Sequence, residues 1–146
     1  MSGELPRPVL DDIYAHAVAG YPEEVCGLIV AEEEVRRCEN RQNALHKEDP
    51  EHFPRDAKTA YNLGAKDLFF LDKSLRSPRK VTVIYHSHVE VGAYFSDEDA
   101  RAAAPDGELL YPVDYVVIDV KKDGVKGAVR FRFEGGKFVE VARYGP

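Results

Sequence analysis

The sequence predicts a single mixed α/β domain over residues 1–146, and three observations carry that expectation. A helical stripe opens the chain, apolar β-branched runs recur through it, and its last third is punctuated at hairpin spacing. Leu10, Ile13, Tyr14, Ala17 and Val18 fall at i, i+3, i+4, i+7 and i+8, which describes a helix with one buried stripe. Gly20 and Pro22 stop it. Residues 25–30 form a short apolar run, read as a strand buried on both faces, and residues 34–39 could return as its hairpin partner. Residues 40–56 are polar, contain Pro50 and Pro54, and read mostly as loop. Leu68, Leu71 and Leu75 give residues 66–76 a helical period that ends before Pro78. Residues 81–86 read as a central strand, Ser96 begins a short helix that Pro105 ends, and residues 113–120 form another apolar strand. Asp123-Gly124 and Gly135-Gly136 then bracket strands at 126–134 and 137–143.

Composition narrows the function classes. The 146 residues are 44% hydrophobic and 32% charged, which suits one domain with its own core and argues against disorder or a collagen-like rod. Twenty-six acidic against 20 basic side chains leave a net charge of −6, the wrong sign for displacing counterions from a nucleic-acid backbone. No run approaches the roughly 20 apolar residues of a membrane span. Met1–Pro6 has neither a basic start nor an apolar stretch, so no secretory signal is expected. Cys26 and Cys38 are too few and too far apart in sequence for a disulfide framework or a redox pair. The expectation is a reduced, cytoplasmic protein.

The chemistry concentrates in His86-Ser87-His88, followed after seven residues by Ser96 and after two more by Asp99. On a strand, positions i and i+2 share a face, so His86 and His88 can aim both imidazoles at one point. Asp99 falls in the first turn of the short helix, which a connecting loop can bring back over the histidines. Two imidazoles and a carboxylate suit one zinc ion per chain, with a fourth position left for water. Each piece has a plainer reading: Ser96 and Asp99 alone are a capping box, and two histidines can merely end a strand. Together, five fixed residues at fixed offsets arise by chance on the order of once in a hundred thousand such chains. A hydrolytic zinc also needs a base, and Pro22-Glu23-Glu24-Val25-Cys26-Gly27-Leu28 places acids where helix gives way to strand.

This pattern, with a glutamate just ahead of a Cys-Gly-Leu strand, resembles the JAMM (MPN-plus, JAB/Mov34) zinc metalloprotease family over roughly residues 8–140. The resemblance implies a curved mixed β-sheet flanked by helices, related to the cytidine deaminase fold. It implies that His86, His88 and Asp99 bind zinc, that Glu24 rather than Glu23 is the catalytic base, and that Ser96 hydrogen-bonds the oxyanion. Two departures alter the loop beside the metal: Val89 stands where proline often follows the second histidine, and bulky Tyr94 and Phe95 precede Ser96.

Competing assignments fail on specific residues. His88-Val89-Glu90 opens a deaminase-like H-x-E, but both cysteines lie upstream, so the downstream P-C-x-x-C is missing. No H-E-x-x-H occurs. An iron oxygenase site would leave Glu24 and Ser96 without work. Lys73, Arg76, Arg79 and Lys80 read as a solvated helix end. His46 and His52 could line a substrate groove, though solvation is the simpler reading. Cys26 reads as a small buried hydrophobe.

The short chain and the 43–53 loop look most like the compact bacterial branch of the family. That likeness implies a zinc-dependent peptidase or isopeptidase cutting after the C-terminal Gly-Gly of a small ubiquitin-like or sulfur-carrier protein. A deconjugating enzyme of a bacterial defence or modification system, and a non-catalytic scaffold, are the alternatives. A scaffold predicts missing ligands.

Overall fold

The computed structural model describes residues 3–146; Met1 and Ser2, where the N-terminal reading begins, lie outside them. In chain order the elements are α1 (Arg7–Gly20), β1 (Cys26–Val30), β2 (Glu34–Cys38), α2 (Gln42–Glu48), α3 (Ala65–Ser74), β3 (Val81–Val89), α4 (Asp97–Ala103), a 3₁₀ turn (Pro105–Gly107), β4 (Asp114–Lys121), β5 (Gly124–Glu134) and β6 (Lys137–Tyr144). The strands form one six-stranded sheet in the order β2-β1-β3-β4-β5-β6. Only β3 and β4 run parallel; the other neighbours are antiparallel. The expected mixed α/β architecture is therefore observed, with the C-terminal meander where the turn signals place it. No helix of the described residues is long and apolar enough to cross a membrane.

Each face of the sheet carries its own core. Val9, Leu10, Ile13, Tyr14 and Ala17 of α1 pack over Ile29, Val83, Tyr85, Val116 and Ile118. On the other face Cys26, Leu28, Ile84 and Tyr115 meet Leu71 of α3 and Ala103 of α4. β1 is buried at all five positions because helices or loops cover it on both sides. Alternation along β3 divides its residues: Val83 and Tyr85 enter the first core, whereas Ile84 enters the second.

Three details differ from the expectations. Val18 is 53% exposed rather than part of the α1 stripe, and Val9 is buried instead. At 3.6 residues per turn, eight residues carry Val18 about 80° around from Leu10, off the face that meets the sheet. Residues 40–56 are mostly loop as expected, but they also hold a short helix, Gln42–Glu48 (α2), where no helix was expected. That helix buries only Gln42, so it leaves no apolar period to read. Finally, β3 runs on to Val89, so both histidines lie within the strand rather than around its end.

Gly27 shows why the strand ahead of the histidines needs glycine. It pairs directly with Tyr85, and a Cβ there would sit 2.4 Å from the tyrosine ring. Tyr85 is fully buried and its hydroxyl is 2.7 Å from His16 Nδ1 on α1, so the ring has nowhere to move. Gly27→Ala is expected to destabilise the fold by about 1–3 kcal/mol, the usual cost of overpacking, measurable as a lower denaturant midpoint with unchanged slope.

Candidate metal centre

The antiparallel register of β1 on β3 builds the centre. Cys26 lies opposite His86, and continuing the same register one step sets Val25 opposite Ser87, with Glu24 just ahead of it in the chain. Ser87 fastens that junction twice: its N–H donates to the Val25 carbonyl (3.1 Å), and its Oγ accepts from the Val25 N–H (2.8 Å). The serine between the histidines thus points to the opposite face from them and fixes the backbone beside Glu24.

Asp99 arrives from the other side through the cap of α4. Ser96 Oγ accepts from the Asp99 N–H at 3.0 Å, while Asp99 Oδ2 accepts from the Ser96 N–H at 3.1 Å, a complete capping box. The same Oδ2 stands 3.3 Å from His86 Nε2 and 3.1 Å from His88 Nε2. His86, His88 and Asp99 are a group whose ligand atoms could hold one metal ion. Because Ser96 Oγ only accepts in the cap, its own proton is left to donate.

The donor chemistry fits a divalent cation. His88 Nδ1 lies 3.0 Å from the Gly92 carbonyl, an acceptor only, so Nδ1 carries the proton and Nε2 presents a lone pair to the centre. Gly92 makes this contact with φ +93, a conformation that glycine adopts without strain. Burial lowers the His86 pKa, keeping its imidazole neutral. Burial would raise the Asp99 carboxyl, but its close contacts with His86, then with His88, outweigh it and hold it well below the carboxylate range. A neutral Nε2 lone pair facing a carboxylate oxygen at 3.1 Å calls for a cation between them. Ligands about 2.0–2.1 Å from a tetrahedral zinc stand roughly 3.3 Å apart, close to the spacings found. Tyr61, which shows no sequence signal, stacks on His86 with ring centroids 4.3 Å apart.

Glu24 lines the same cleft, of about 800 Å³, together with Tyr61, His88, Tyr94, Ser96 and Asp99. It is only 7% exposed. Burial, and then the charge of Asp99, push its carboxyl up to about 9 against the opposing pull of Arg55. Glu23 instead accepts a hydrogen bond from Asn43 at 2.7 Å and does not line the cleft. Asn40 holds the Glu24 backbone: its Nδ2 donates to the Glu24 and Ala60 carbonyls, and its Oδ1 accepts from the N–H groups of Gln42 and Asn62.

The remaining sequence candidates separate cleanly. Tyr94 lines the cleft and meets His88 edge-on, whereas Phe95 turns away to pack on Tyr115 and Phe138, so it does not narrow the approach. His52 lines the cleft but pairs with Asp49 at the surface; His46 bonds the Phe53 carbonyl and stays outside the lining. Cys26 and Cys38 are free and buried, and burial pushes the Cys38 thiol up to about 12, so neither is a poised nucleophile. Arg76 pairs with Asp72 and Arg79 with Glu33 and Glu34, as befits a solvated helix end.

A mixed sheet that presents paired histidines to a capping aspartate defines a JAB-type domain. The chain belongs to the family described as prokaryotic homologs of the JAB domain, which matches residues 6–133. Two solved structures are similar in fold. One, from Desulfitobacterium hafniense, has 17% identity and a TM-score of 0.62, covering 93% of this chain and 87% of that one. The other, from Salinibacter ruber, has 20% identity and a TM-score of 0.61, covering 98% of this chain and 91% of that one. No curated protein matches the sequence.

The raised Glu24 pKa makes a stability prediction for metal-free protein. A carboxyl near 9 when folded and near 4.5 when unfolded binds its proton more tightly in the native state. Its contribution is full below the unfolded value and is lost as pH climbs toward the folded one. Glu24→Gln is therefore expected to gain stability over wild type between pH 5 and pH 9, by at most about 1.4 kcal/mol per pH unit. Urea unfolding in chelator across that window measures it; a pH-independent difference would contradict the assignment.

Proposed function

We propose that this chain is a zinc-dependent peptidase or isopeptidase that cuts after the C-terminal Gly-Gly of a small ubiquitin-like or sulfur-carrier protein. The observation that carries this reading is the convergence of His86 Nε2 and His88 Nε2 on one oxygen of Asp99, beside buried Glu24 in one cleft. His86, His88 and Asp99 would hold the metal. When bound, zinc supplies positive charge that acidifies water and polarises a carbonyl. Glu24 accepts the proton of the attacking water and delivers it to the leaving amine, so hydroxide joins the glycyl carbon as the C–N bond breaks. Its low exposure favours a carboxyl that can carry a proton between those two positions. The Ser96 hydroxyl, its lone pair engaged by the Asp99 N–H, donates to the oxygen that becomes negative.

Tyr94 stands at 52% exposure beside His88 at the cleft. A glycine-ended tail suits an approach past that ring because it carries no side chain there. A reduced cytoplasm suits the two free thiols. A scaffold that had lost its metal would lack one of the three ligands, and all three are in place.

Purified protein is expected to carry one zinc per chain by elemental analysis, lost when His86 and His88 are both replaced. Incubated with carrier–cysteine and carrier–lysine conjugates and followed by mass spectrometry, it should release the carrier ending in Gly-Gly. Glu24→Gln should keep the zinc and lose roughly 10²–10⁴ in turnover, while Glu23→Gln stays near wild type. Equal cleavage after replacing the last glycine by leucine would refute the narrow approach. Failure of zinc-loaded enzyme on every Gly-Gly conjugate would overturn the proposed activity.

A further inference from the structure

The cleft of an acidic protein carries cations that the hydrolytic reading leaves without work. Arg55, Lys58 and Arg101 line it together with Glu24, and among the described residues neither the Lys58 nor the Arg101 side chain has an acidic partner. Arg55 sits on the segment between α2 and α3, where the buried Gln42 side chain donates to its carbonyl at 2.9 Å. Its backbone is thus fixed while its guanidinium reaches across to an ion pair with Glu98 on α4, the two side chains being 48% and 43% exposed. A pair this exposed contributes little net stability, so another carboxylate can displace Glu98 readily. Arg55 lines the same cleft as Glu24, and its charge pulls the Glu24 carboxyl down. It thus shares the cleft with the group that hands a proton to the leaving nitrogen.

Resting on the peptidase reading, we propose that Arg55 binds the free carboxylate of the residue that leaves. The preferred adduct is then an amino acid joined through its α-amine and ending in a free carboxyl group, rather than the side chain of a lysine within a protein. The covalent geometry favours this. An α-carboxylate is two bonds from the departing nitrogen, whereas in a lysine adduct the backbone carbonyl is six bonds away and carries no charge within a chain. A guanidinium matches a carboxylate with two parallel hydrogen bonds, and the exchange costs the surface pair with Glu98 and the longer bond from Arg55 Nη1 to the Thr59 carbonyl (3.4 Å). Glu98 acts in the resting protein as a stand-in for that carboxylate.

The test compares three ten-residue peptides: one ending in Gly-Gly-Ala as the free acid, the same peptide as its amide, and one ending in Gly-Gly-Asp amide, whose carboxylate is on the side chain. Kinetics on zinc-loaded enzyme are paired with calorimetric binding to the Glu24→Gln variant. The acid is expected to surpass the Ala amide by about tenfold to a hundredfold in kcat/KM and in affinity, as for a hydrogen-bonded charge pair. Arg55→Gln should erase that preference mainly through KM, Arg55→Lys should restore part of it, and Glu98→Gln should strengthen it. A Gly-Gly-Asp amide equal to the Ala acid would show that any carboxylate suffices and overturn selection for the α-carboxylate. Equal use of acid and amide, or a preference that survives Arg55→Gln, would overturn the proposal while leaving the peptidase reading intact. If no peptide is cut, the conjugate assay decides the peptidase reading and binding decides this one: an Arg55-dependent preference for the acid upholds it, and its absence overturns it.

Discussion

Everything at the candidate metal centre hangs on the register of β1 against β3. Side chains alternate across a sheet, so a slip of one residue would turn His86 and His88 into the α1 core and send Tyr85 and Ser87 to the cleft. Gly27 against Tyr85, and the paired bonds of Ser87 with Val25, hold that register at the strand end where Glu24 emerges. The Tyr85 hydroxyl then ties the same strand to His16, whose imidazole burial pushes down to about 4, so the link is between neutral groups at physiological pH. Packing on one face of the sheet thereby locates chemistry on the other.

The second support is polar. The segment from Asn40 to Asn62 buries little apolar surface, yet it shapes the cleft wall through side-chain amides. Asn40 ties Glu24 to Ala60, Asn62 bonds Gln42, and Asn43 accepts from the Ala57 N–H. Amides that satisfy one another and the backbone give a loop fixed geometry without a core of its own. Glu24 lies at the meeting point of this network and the sheet, which accounts for its burial without a cationic partner in hydrogen-bond contact.

Much of this was legible in the chain. Strong periods marked α1, β1, α3, β3, β4 and the C-terminal meander, because those elements are built on apolar burial, which a sequence displays directly. The spacing of His86, His88, Ser96 and Asp99 was equally legible, since alternation on a strand and the turn of a cap are local rules. What escaped were features settled by tertiary contact. Tyr61 comes to His86 from an aperiodic stretch, Gly92 contributes a carbonyl rather than a side chain, and α2 is a helix held by amides. The opposite fates of Tyr94 and Phe95, adjacent and both aromatic, were decided by which one the Tyr115–Phe138 cluster could accommodate.

The cap of α4 has an evolutionary consequence. Asp99 Oδ2 both accepts the Ser96 N–H and faces the two histidines, so one oxygen starts a helix and completes the metal-binding group. Were the proposed activity to be lost, the Glu24 carboxyl would have no further duty to protect it. Losing the Asp99 carboxylate would still take the acceptor from the Ser96 N–H at the start of α4. Selection for a folded domain therefore favours this carboxylate independently of the proposed chemistry, and inactive descendants should forfeit their histidines or Glu24 before their aspartate.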